Sequence, residues 1–344
     1  MKSRGHHPVP FWLVFALALA ALTAIVAVSF LVGRYAIDPW EAVRIMASRF
    51  IAMEHTWREL DAKVVWEVRW PRTLMAVLVG AALSCSGAVY QGVFRNPLVS
   101  PDILGVSAAA SFGAALAILL SGAFSPLVPS LAFGMGILGV LLAYALARVK
   151  GMTPTIMLVL SGVVVSSIFN AGVSIMKYLA DPEDDLPAIT FWLMGSLSGM
   201  RWENLAFAAP IIVVGLAVLM VITWQLNLLT MGDAEARSLG ANAQRTRLIA
   251  IICATAMTAT AVSQSGAIGW VGLVIPHMAR ILVGPDHRKL VPIAAVLGAA
   301  FLLTIDSLTR TVSESSLPLS IPTALVGAPF FAILLRRSKG VWTR

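Results

Sequence analysis

Charged residues are scarce in this sequence. Of its 344 residues, 12% are Asp, Glu, Lys or Arg, whereas 58% are hydrophobic. In a typical soluble domain, about a quarter of the residues are charged. A water-soluble core could not bury so large an apolar fraction, so the composition excludes an ordinary soluble protein and indicates a membrane protein.

Motifs that carry enzyme chemistry are also missing. No GxxxxGK followed by Ser or Thr occurs, so the chain has no P-loop to hold the phosphates of ATP. HExxH, GxSxG and Cys-His metal clusters are absent, which argues against a membrane-embedded hydrolase. Cys85 and Cys253 both lie in apolar runs and imply no disulfide framework. We therefore expect no catalytic residue, no metal site and no cofactor in this chain, and we do not expect it to be an enzyme.

The middles of the apolar runs contain almost no ionisable residues. Proton- and sodium-coupled carriers and voltage sensors usually place Asp, Glu, Lys or Arg at such positions, so this scarcity weighs against a secondary transporter. The formal net charge is +8, but the Lys and Arg residues flank the apolar runs rather than forming a basic run of their own. We attribute the excess of positive charge to membrane orientation and expect no nucleic-acid partner.

What the sequence does contain is a series of ten apolar runs bounded by charge, Pro or Gly. They predict ten membrane-spanning helices in an all-α polytopic protein surrounded by lipid. A span needs roughly 20 apolar residues, so the loops must be short, and we expect residues 1–344 to form one transmembrane domain. The predicted spans are residues 11–32, 73–94, 104–121, 126–146, 155–177, 204–225, 246–264, 270–283, 290–305 and 320–335.

Basic residues are distributed unequally between the two sides of the predicted membrane. With both termini in the cytoplasm, the short cytoplasmic segments hold fifteen Lys and Arg residues and the short outer segments hold three. The positive-inside rule therefore places both termini in the cytoplasm and residues 33–72 outside. That outer segment opens with Asp38, Pro39 and Glu41, a capping pattern that predicts a helix along the outer surface.

A short apolar piece from Ile189 to Gly199 follows the acidic stretch 181–185. It is too short to cross the bilayer, and irregular backbone at membrane depth is tolerated only where it lines a cavity or packs in protein. This piece is therefore either part of a pore lining or an ordinary surface loop.

Two local patterns suggest contact or gating surfaces. Arg69 and Arg72 flank a Trp-Pro pair just outside the second span, where guanidinium groups suit carboxylates of a docking partner. Interfacial anchoring explains these residues equally well. Asn96 and Leu98 lie in a connection with two prolines between the second and third spans. They could narrow a pore exit, and a static turn explains the prolines equally well.

A third pattern lies in the longest cytoplasmic loop, residues 226–247. Asp233 fits the first turn of a helix, Ala234 and Ala236 favour helix, and Gly240 suits a left-handed stop. The pattern predicts a short helix outside the membrane that a partner protein can hold.

Together these motifs resemble the FecCD-type permeases of type II ATP-binding-cassette (ABC) importers, which carry ferric siderophores, haem or cobalamin. The resemblance covers about residues 69–337, nearly the whole chain. The matching stretches are Arg69 to Arg72, with Trp70 in place of the family's Leu, Asn96 to Gly105, Gly232 to Gly240, and Gly272 to His277 with Arg280.

This resemblance implies a homodimer with a pore on its two-fold axis, two cytoplasmic ATPase subunits that bind ATP and Mg, and a periplasmic or surface-tethered substrate-binding protein. It also implies roles for three sets of residues. Arg69, Arg72 and Arg310 would meet Glu residues of the binding protein, Asn96, Leu98 and Thr155 would form the inner gate, and Gly232, Asp233, Ala234, Ala236, Arg237, Leu239 and Gly240 would insert into a groove of the ATPase.

The expected function is that of an importer permease in the cytoplasmic (inner) membrane, carrying a metal chelate such as a ferric siderophore or haem. Cobalamin and a small oxyanion such as molybdate are alternatives within the same machinery. Two other classes stay open: a stand-alone carrier would work without an ATPase, and a structural scaffold would show no transport defect when gate residues change.

Overall fold

A computed structural model describes residues 10–337 of the chain, except residues 34, 50, 52, 149–152 and 313–316. The regular elements in this described part are helical. A π-helical segment, Val64–Arg69, joins α3 to α4, and a 3-10 turn, Pro101–Leu104, precedes α5. The helices are α1 Phe11–Leu31, α2 Pro39–Ala47, α3 Glu59–Lys63, α4 Trp70–Val93, α5 Val106–Ser121, α6 Leu127–Ala147, α7 Thr155–Leu179, α8 Asp185–Leu193, α9 Trp202–Val221, α10 Thr223–Met231, α11 Asp233–Ser238, α12 Ala243–Ser265, α13 Val271–Val283, α14 His287–Val312 and α15 Ser320–Arg337.

Each of the ten predicted spans corresponds to an apolar helix, which confirms the predicted fold class. Seven helices are long and apolar enough to cross a membrane, and α5, α13 and the start of α15 are shorter apolar helices. At a rise of about 1.5 Å per residue, α13 is roughly 20 Å long and cannot cross the hydrocarbon layer by itself. The largest difference from the prediction is in α14, which continues past Ile305 to Val312.

Helix α4 is the centre of the bundle. It contacts α1, α9, α10, α12, α13 and α14, and it is the most buried of the apolar helices long enough to cross a membrane. Its middle is rich in small residues, which let helix backbones approach closely in membranes. A Cβ atom at Gly80 would overlap the carbonyl of Gly298 in α14, and one at Gly87 would overlap the carbonyl of Gly272 in α13. Glycine is therefore required at these two positions of α4.

Helices α4 and α14 run antiparallel, which gives the bundle two distinct ends. Arg72 in the first turn of α4 pairs with Asp306 near the end of α14. At the other end, Gly92 of α4 lies against His287, the first residue of α14. The side chain of Asn227 in α10 bonds to His287, and α11 follows α10 directly. We call these two ends the arginine end and the α11 end.

The segment between α1 and α4 forms a small folded layer at the arginine end. Helix α2 begins at Pro39, and the Asp38 carboxylate accepts hydrogen bonds from the amides of Trp40 and Glu41 at 2.9 and 3.2 Å. The predicted helix start is therefore confirmed. The apolar side chains Ile37, Ala42, Ile45, Trp57 and Val65 form a separate buried cluster within this layer.

The piece that follows α8 is packed in protein. The Ser196 amide donates to the Ser265 carbonyl at 2.7 Å, and the Leu319 amide donates to the Gly195 carbonyl at 2.9 Å. These bonds hold the piece between the end of α12 and the start of α15. The sequence allowed two interpretations of residues 189–199, part of a pore lining or an ordinary surface loop. The packing disfavours the surface loop, because the backbone is hydrogen-bonded to the end of one span and to the residue before another.

The close contact of α4 and α14 generates a stability prediction. We expect Gly298→Ala to lower the free energy of unfolding by about 1–3 kcal/mol, because the added methyl overlaps α4 in a packed core. Unfolding of the purified protein with sodium dodecyl sulfate measures this change. Gly134→Ala is the matched control, since a Cβ atom at Gly134 meets open space. Equal effects of the two substitutions would contradict the packing described here.

Candidate docking, gate and coupling sites

At the arginine end, one carboxylate holds two guanidinium groups. Arg72 donates from Nε and Nη2 to Asp306 Oδ1 at 3.0 and 2.9 Å. Nε of Arg310 lies 3.2 Å from Asp306 Oδ2, one helical turn along α14. Asp306 has no exposed surface, and both arginine side chains are largely buried. Charge-assisted bonds of this kind fix the orientation of the guanidinium planes.

Arg69 is also buried, but it has neutral partners. Its guanidinium donates to the carbonyl of Phe30, at the end of α1, and to the carbonyl of Tyr35 at 2.6 Å. Tyr35 in turn donates its hydroxyl to Asp61 at 2.7 Å, and this hydrogen bond raises the pKa of Tyr35. The π-helical segment therefore places Arg69 against the backbone that leaves the first span.

The three arginines predicted for docking line one cavity. Its volume is about 380 Å³, and it lies between the start of α4, the end of α14 and the backbone after α8. The three guanidinium groups carry three positive charges and the Asp306 carboxylate carries one negative charge. A net charge of two positive units therefore remains among largely buried side chains. Charge of this kind is stabilised by an anion. The lining residues are Gly33, Tyr35, Val64, Val68, Arg69, Arg72, Ser198 and Arg310.

Sequence reasoning missed Asp306. The predicted ninth span ended at Ile305, so the carboxylate seemed to lie outside the apolar run. The available signal was its spacing from Arg310, because residues four apart share one face of a helix. Its pairing with Arg72 had no signal in the sequence, since 234 residues separate the two.

The connection between α4 and α5 is held in a defined conformation by its neighbours. Arg95 adopts a positive φ of 50°, and the Asn96 side chain accepts a hydrogen bond from the Leu98 amide at 2.9 Å. Gln91 Nε2 donates to the Val99 carbonyl at 3.3 Å. Arg280 of α13 donates to Gln91 Oε1 at 3.0 Å. The two interpretations of this connection, a static turn and a gate, are therefore compatible. The ordered turn leaves the side chains of Asn96 and Leu98 exposed at the surface.

Leu98 and Thr155 do not line the same groove. Leu98 faces α7 across a shallow groove of about 330 Å³ whose α7 side is formed by Val163, Ser166 and Ser167. Thr155 is the first residue of α7, roughly 12 Å before Val163 along the helix axis. The structure therefore brings Asn96 and Leu98 together and places Thr155 at a different level. Val163 and Ser166 were not predicted, because nothing in their local sequence distinguishes them.

The short helix predicted in the loop 226–247 is present as α11. Gly232 and Gly240 flank it with positive φ values of 133° and 80°. Asp233 Oδ1 lies 2.6 Å from Nη2 of Arg247, a buried residue of α12. Ala236 packs inward, whereas Ala234, Arg237 and Leu239 are exposed. Helix α11 thus presents a free face while an ion pair that sequence reasoning missed ties it to a span.

The fold and these sites define a class of protein: a polytopic helical membrane protein with a short exposed helix at one end and a cationic cavity at the other. The model of the FecCD transport family matches residues 20–337. The chain belongs to this family, which confirms the resemblance seen in its motifs.

Similar proteins share both sequence and fold with the chain over nearly its full length. The molybdate import system permease protein MolB of Haemophilus influenzae is 38% identical over 322 residues, 93% of this chain and 94% of MolB. The cobalamin import system permease protein BtuC of Halobacterium salinarum is 38% identical over 338 residues, 96% of this chain and 90% of BtuC. A solved inward-facing transporter, provisionally assigned to the metal-chelate type, has a TM-score of 0.83 and 35% identity and covers 94% of this chain and 99% of its own.

These findings identify the chain as the permease subunit of an ABC importer, a multi-pass protein of the inner membrane. It is a transport component, and its family implies ATPase and substrate-binding partners. The expected importer class is therefore confirmed, and the assigned roles of individual residues stay predictions.

The arginine cluster generates a second stability prediction. We expect Asp306→Asn to lower the free energy of unfolding by about 3–5 kcal/mol, because two buried cations lose their shared counter-charge. Adding Arg72→Gln to this variant should recover part of the loss, since one unpaired cation is removed. Titration with sodium dodecyl sulfate measures both changes. Glu203→Gln, an exposed change in the first turn of α9, serves as the control; equal losses for Asp306→Asn and Glu203→Gln would contradict the prediction.

Proposed function

We propose that this chain is the membrane pathway for a metal chelate, either a ferric siderophore or haem, and that two separate ATPase subunits binding ATP and Mg power the import. The similarity over 94% of the chain to a solved transporter provisionally assigned to the metal-chelate type carries this proposal. Molybdate is the second candidate cargo, favoured by the similarity to MolB, and cobalamin is a third, favoured by the similarity to BtuC.

The arginine end faces outward and the α11 end faces the cytoplasm in this proposal. The distribution of Lys and Arg in the short loops supports this orientation and places both termini in the cytoplasm. Residues 33–72 then form an outer layer, residues 226–247 form the cytoplasmic coupling loop, and residues 1–344 act as one transmembrane domain. The permease itself holds no cofactor.

The cavity at the arginine end is the docking site for carboxylates of the substrate-binding protein. Arg69, Arg72 and Arg310 line it together, and Asp306 leaves two of the three positive charges without a counter-charge. Guanidinium forks pair well with carboxylates. Since Asp306 already orients Arg72 and Arg310, a docking carboxylate meets arginines that have lost most of their side-chain freedom, and binding then costs less entropy.

The gate lies at the α11 end, in a homodimer whose pore runs along the two-fold axis. Asn96 and Leu98 form it at the level of Val163, and Thr155, about 12 Å before Val163 along α7, lines the same pathway at a second level. The homodimer rests on the family resemblance, because apolar side chains exposed on α7, such as Ile156 and Val163, suit lipid as well as a second copy. The groove between Leu98 and α7 supports the position of the gate.

Helix α11 is the coupling helix. Its exposed face carries Ala234, Arg237 and Leu239, which suit a groove on an ATPase, and Gly232 and Gly240 mark its two ends. The ion pair between Asp233 and Arg247 supports a mechanical role, because a displaced α11 would pull directly on α12. In this proposal, ATP-driven approach of the ATPase subunits moves α11 as a rigid lever and changes the gate.

Uptake by reconstituted proteoliposomes tests the importer and names its cargo. The permease is purified with its ATPase, and its binding protein is loaded in turn with a ferric siderophore, haem, cobalamin and molybdate. We expect uptake of one cargo with ATP inside and no uptake with ADP. Uptake that is equal with ATP and ADP would instead support a stand-alone carrier, and failure to associate with any ATPase would overturn the proposal.

Docking of the binding protein tests the role of the arginine cavity. We expect Arg69→Gln and Arg310→Gln each to raise the dissociation constant by roughly tenfold to a hundredfold, because each removes a positive charge from a desolvated site. Surface binding assays on the permease in nanodiscs measure this constant. Arg201→Gln is the control, since Arg201 is exposed at the same end and does not line the cavity. A comparable effect of all three substitutions would remove the docking assignment.

A further inference from the structure

The side chain of Asn227 ties α10 to the first turn of α14. Its Oδ1 accepts a hydrogen bond from the His287 amide at 2.8 Å and lies 2.9 Å from His287 Nδ1. Its Nδ2 donates to Asp286 Oδ1 at 2.6 Å. Nearby, the Arg288 guanidinium lies 4.5 Å from the centre of the Trp224 ring. Helix α10 therefore holds three successive residues at the start of α14.

Asp286 contributes a charge to this contact. Burial alone would raise the pKa of Asp286, but hydrogen bonds from Asn227 and the Arg288 amide, together with the positive charges of Lys289 and Arg288, hold its pKa below the ordinary value. The carboxylate is therefore ionised at neutral pH, and its hydrogen bond with Asn227 is charge-assisted.

The imidazole of His287 fills the space between α10 and the end of α4. It is buried, and a Cβ atom at Gly92 of α4 would overlap its Nε2. The backbone that follows Gly92 leads straight into the connection with Asn96 and Leu98, since the Arg95 amide donates to the Gly92 carbonyl at 3.2 Å. His287 thus contacts Gly92, in the last turn of α4, just before the connection that carries the proposed gate residues Asn96 and Leu98.

The same junction lies next to α11. Only Gly232 separates the end of α10 at Met231 from Asp233, the first residue of α11. Helix α11 is tied to α12 by the ion pair of Asp233 with Arg247. Helix α10, which precedes α11 in the chain, is tied by Asn227 to the start of α14 and, through His287, to the end of α4. A displacement of α11 can therefore reach α4 through α12, whose Thr255 bonds to Tyr90 of α4 at 2.8 Å, and through α10, where Asn227 and His287 form the polar contact.

We propose that Asn227 and His287 are positioning residues that transmit the movement of α11 to the end of α4, and so to the connection that carries Asn96 and Leu98. Packed and hydrogen-bonded contacts carry coupling between sites because they resist deformation more than the loops around them. This inference rests on the function proposed above for α11 and for Leu98, and it adds the physical link between them.

Thiol labelling of the gate tests this link without a cargo. Leu98→Cys is made in the full permease with its ATPase in nanodiscs, and its labelling rate by a water-soluble maleimide is measured with and without ATP. The native thiols give the background, since Cys85 is buried and Cys253 is partly buried. We expect ATP to change the labelling rate, and we expect Asn227→Ala to reduce that change at least about fivefold, the lower range of allosteric coupling between sites.

Thr230→Ala is the matched control for Asn227→Ala. Thr230 is exposed on the same helix, and its hydroxyl donates to the backbone carbonyl of Asn227 at 2.6 Å, so this variant removes a neighbouring bond but leaves the Asn227 side chain in place. We expect this variant to retain the full ATP response. ATPase activity and complex assembly are measured in parallel, because a variant that only destabilises the complex would lower both, whereas loss of the link lowers the labelling response and leaves assembly intact.

Two substitutions at His287 test the same link if the Asn227→Ala permease fails to assemble with its ATPase. His287→Asn keeps an N–H donor near the position of Nδ1, and His287→Gln places it near Nε2 instead. We expect the Asn variant to respond to ATP and the Gln variant to lose most of the response. Equal responses, or a full response in Asn227→Ala, would overturn this inference alone. A Leu98→Cys permease without any ATP response would overturn the gate assignment and this inference with it.

Discussion

The close antiparallel contact of α4 with α14 is the constraint on which the rest of the structure depends. Gly80 and Gly298 bring the two backbones together in the middle of the bundle, where dispersion forces depend on close contact because lipid supplies no hydrophobic driving force. Once the middles of α4 and α14 are in register, the positions of the residues at both ends of the two helices are fixed. Arg72 meets Asp306 at one end, and Gly92 meets His287 at the other. One packing contact thereby positions both the proposed docking cavity and the proposed transmission junction.

The arginine end shows how a membrane protein keeps charge in a place with little water. Three guanidinium groups surround a cavity, and a single buried carboxylate neutralises part of their charge. A second carboxylate in the cavity would leave one positive charge instead of two and so weaken the attraction for a partner. In the proposed docking role, the remaining positive charge attracts carboxylates of a partner protein, and the ion pair keeps the guanidinium groups of Arg72 and Arg310 oriented before that partner binds.

Permeases for molybdate and for cobalamin are about equally similar to this chain. One fold therefore serves cargoes that differ greatly in size and charge, and the fold does not name the cargo. What the relatives share with this chain is the architecture of an ABC importer permease. The charged contacts described above lie at the two ends of the bundle, at the Arg72–Asp306 pair and around Asn227.

The sequence by itself determined the ten apolar helices, the start of α2 at Asp38 and the short helix α11 before Gly240, because hydropathy and capping depend on residues within a few positions of one another. The family could be identified from motifs that are also local. Only the tertiary structure decided that Asp306 pairs with Arg72, that Asn227 holds His287, and that Thr155 lies away from Leu98. These relations join residues far apart in the chain, and they exist only because packing of spans brings distant helices into one register.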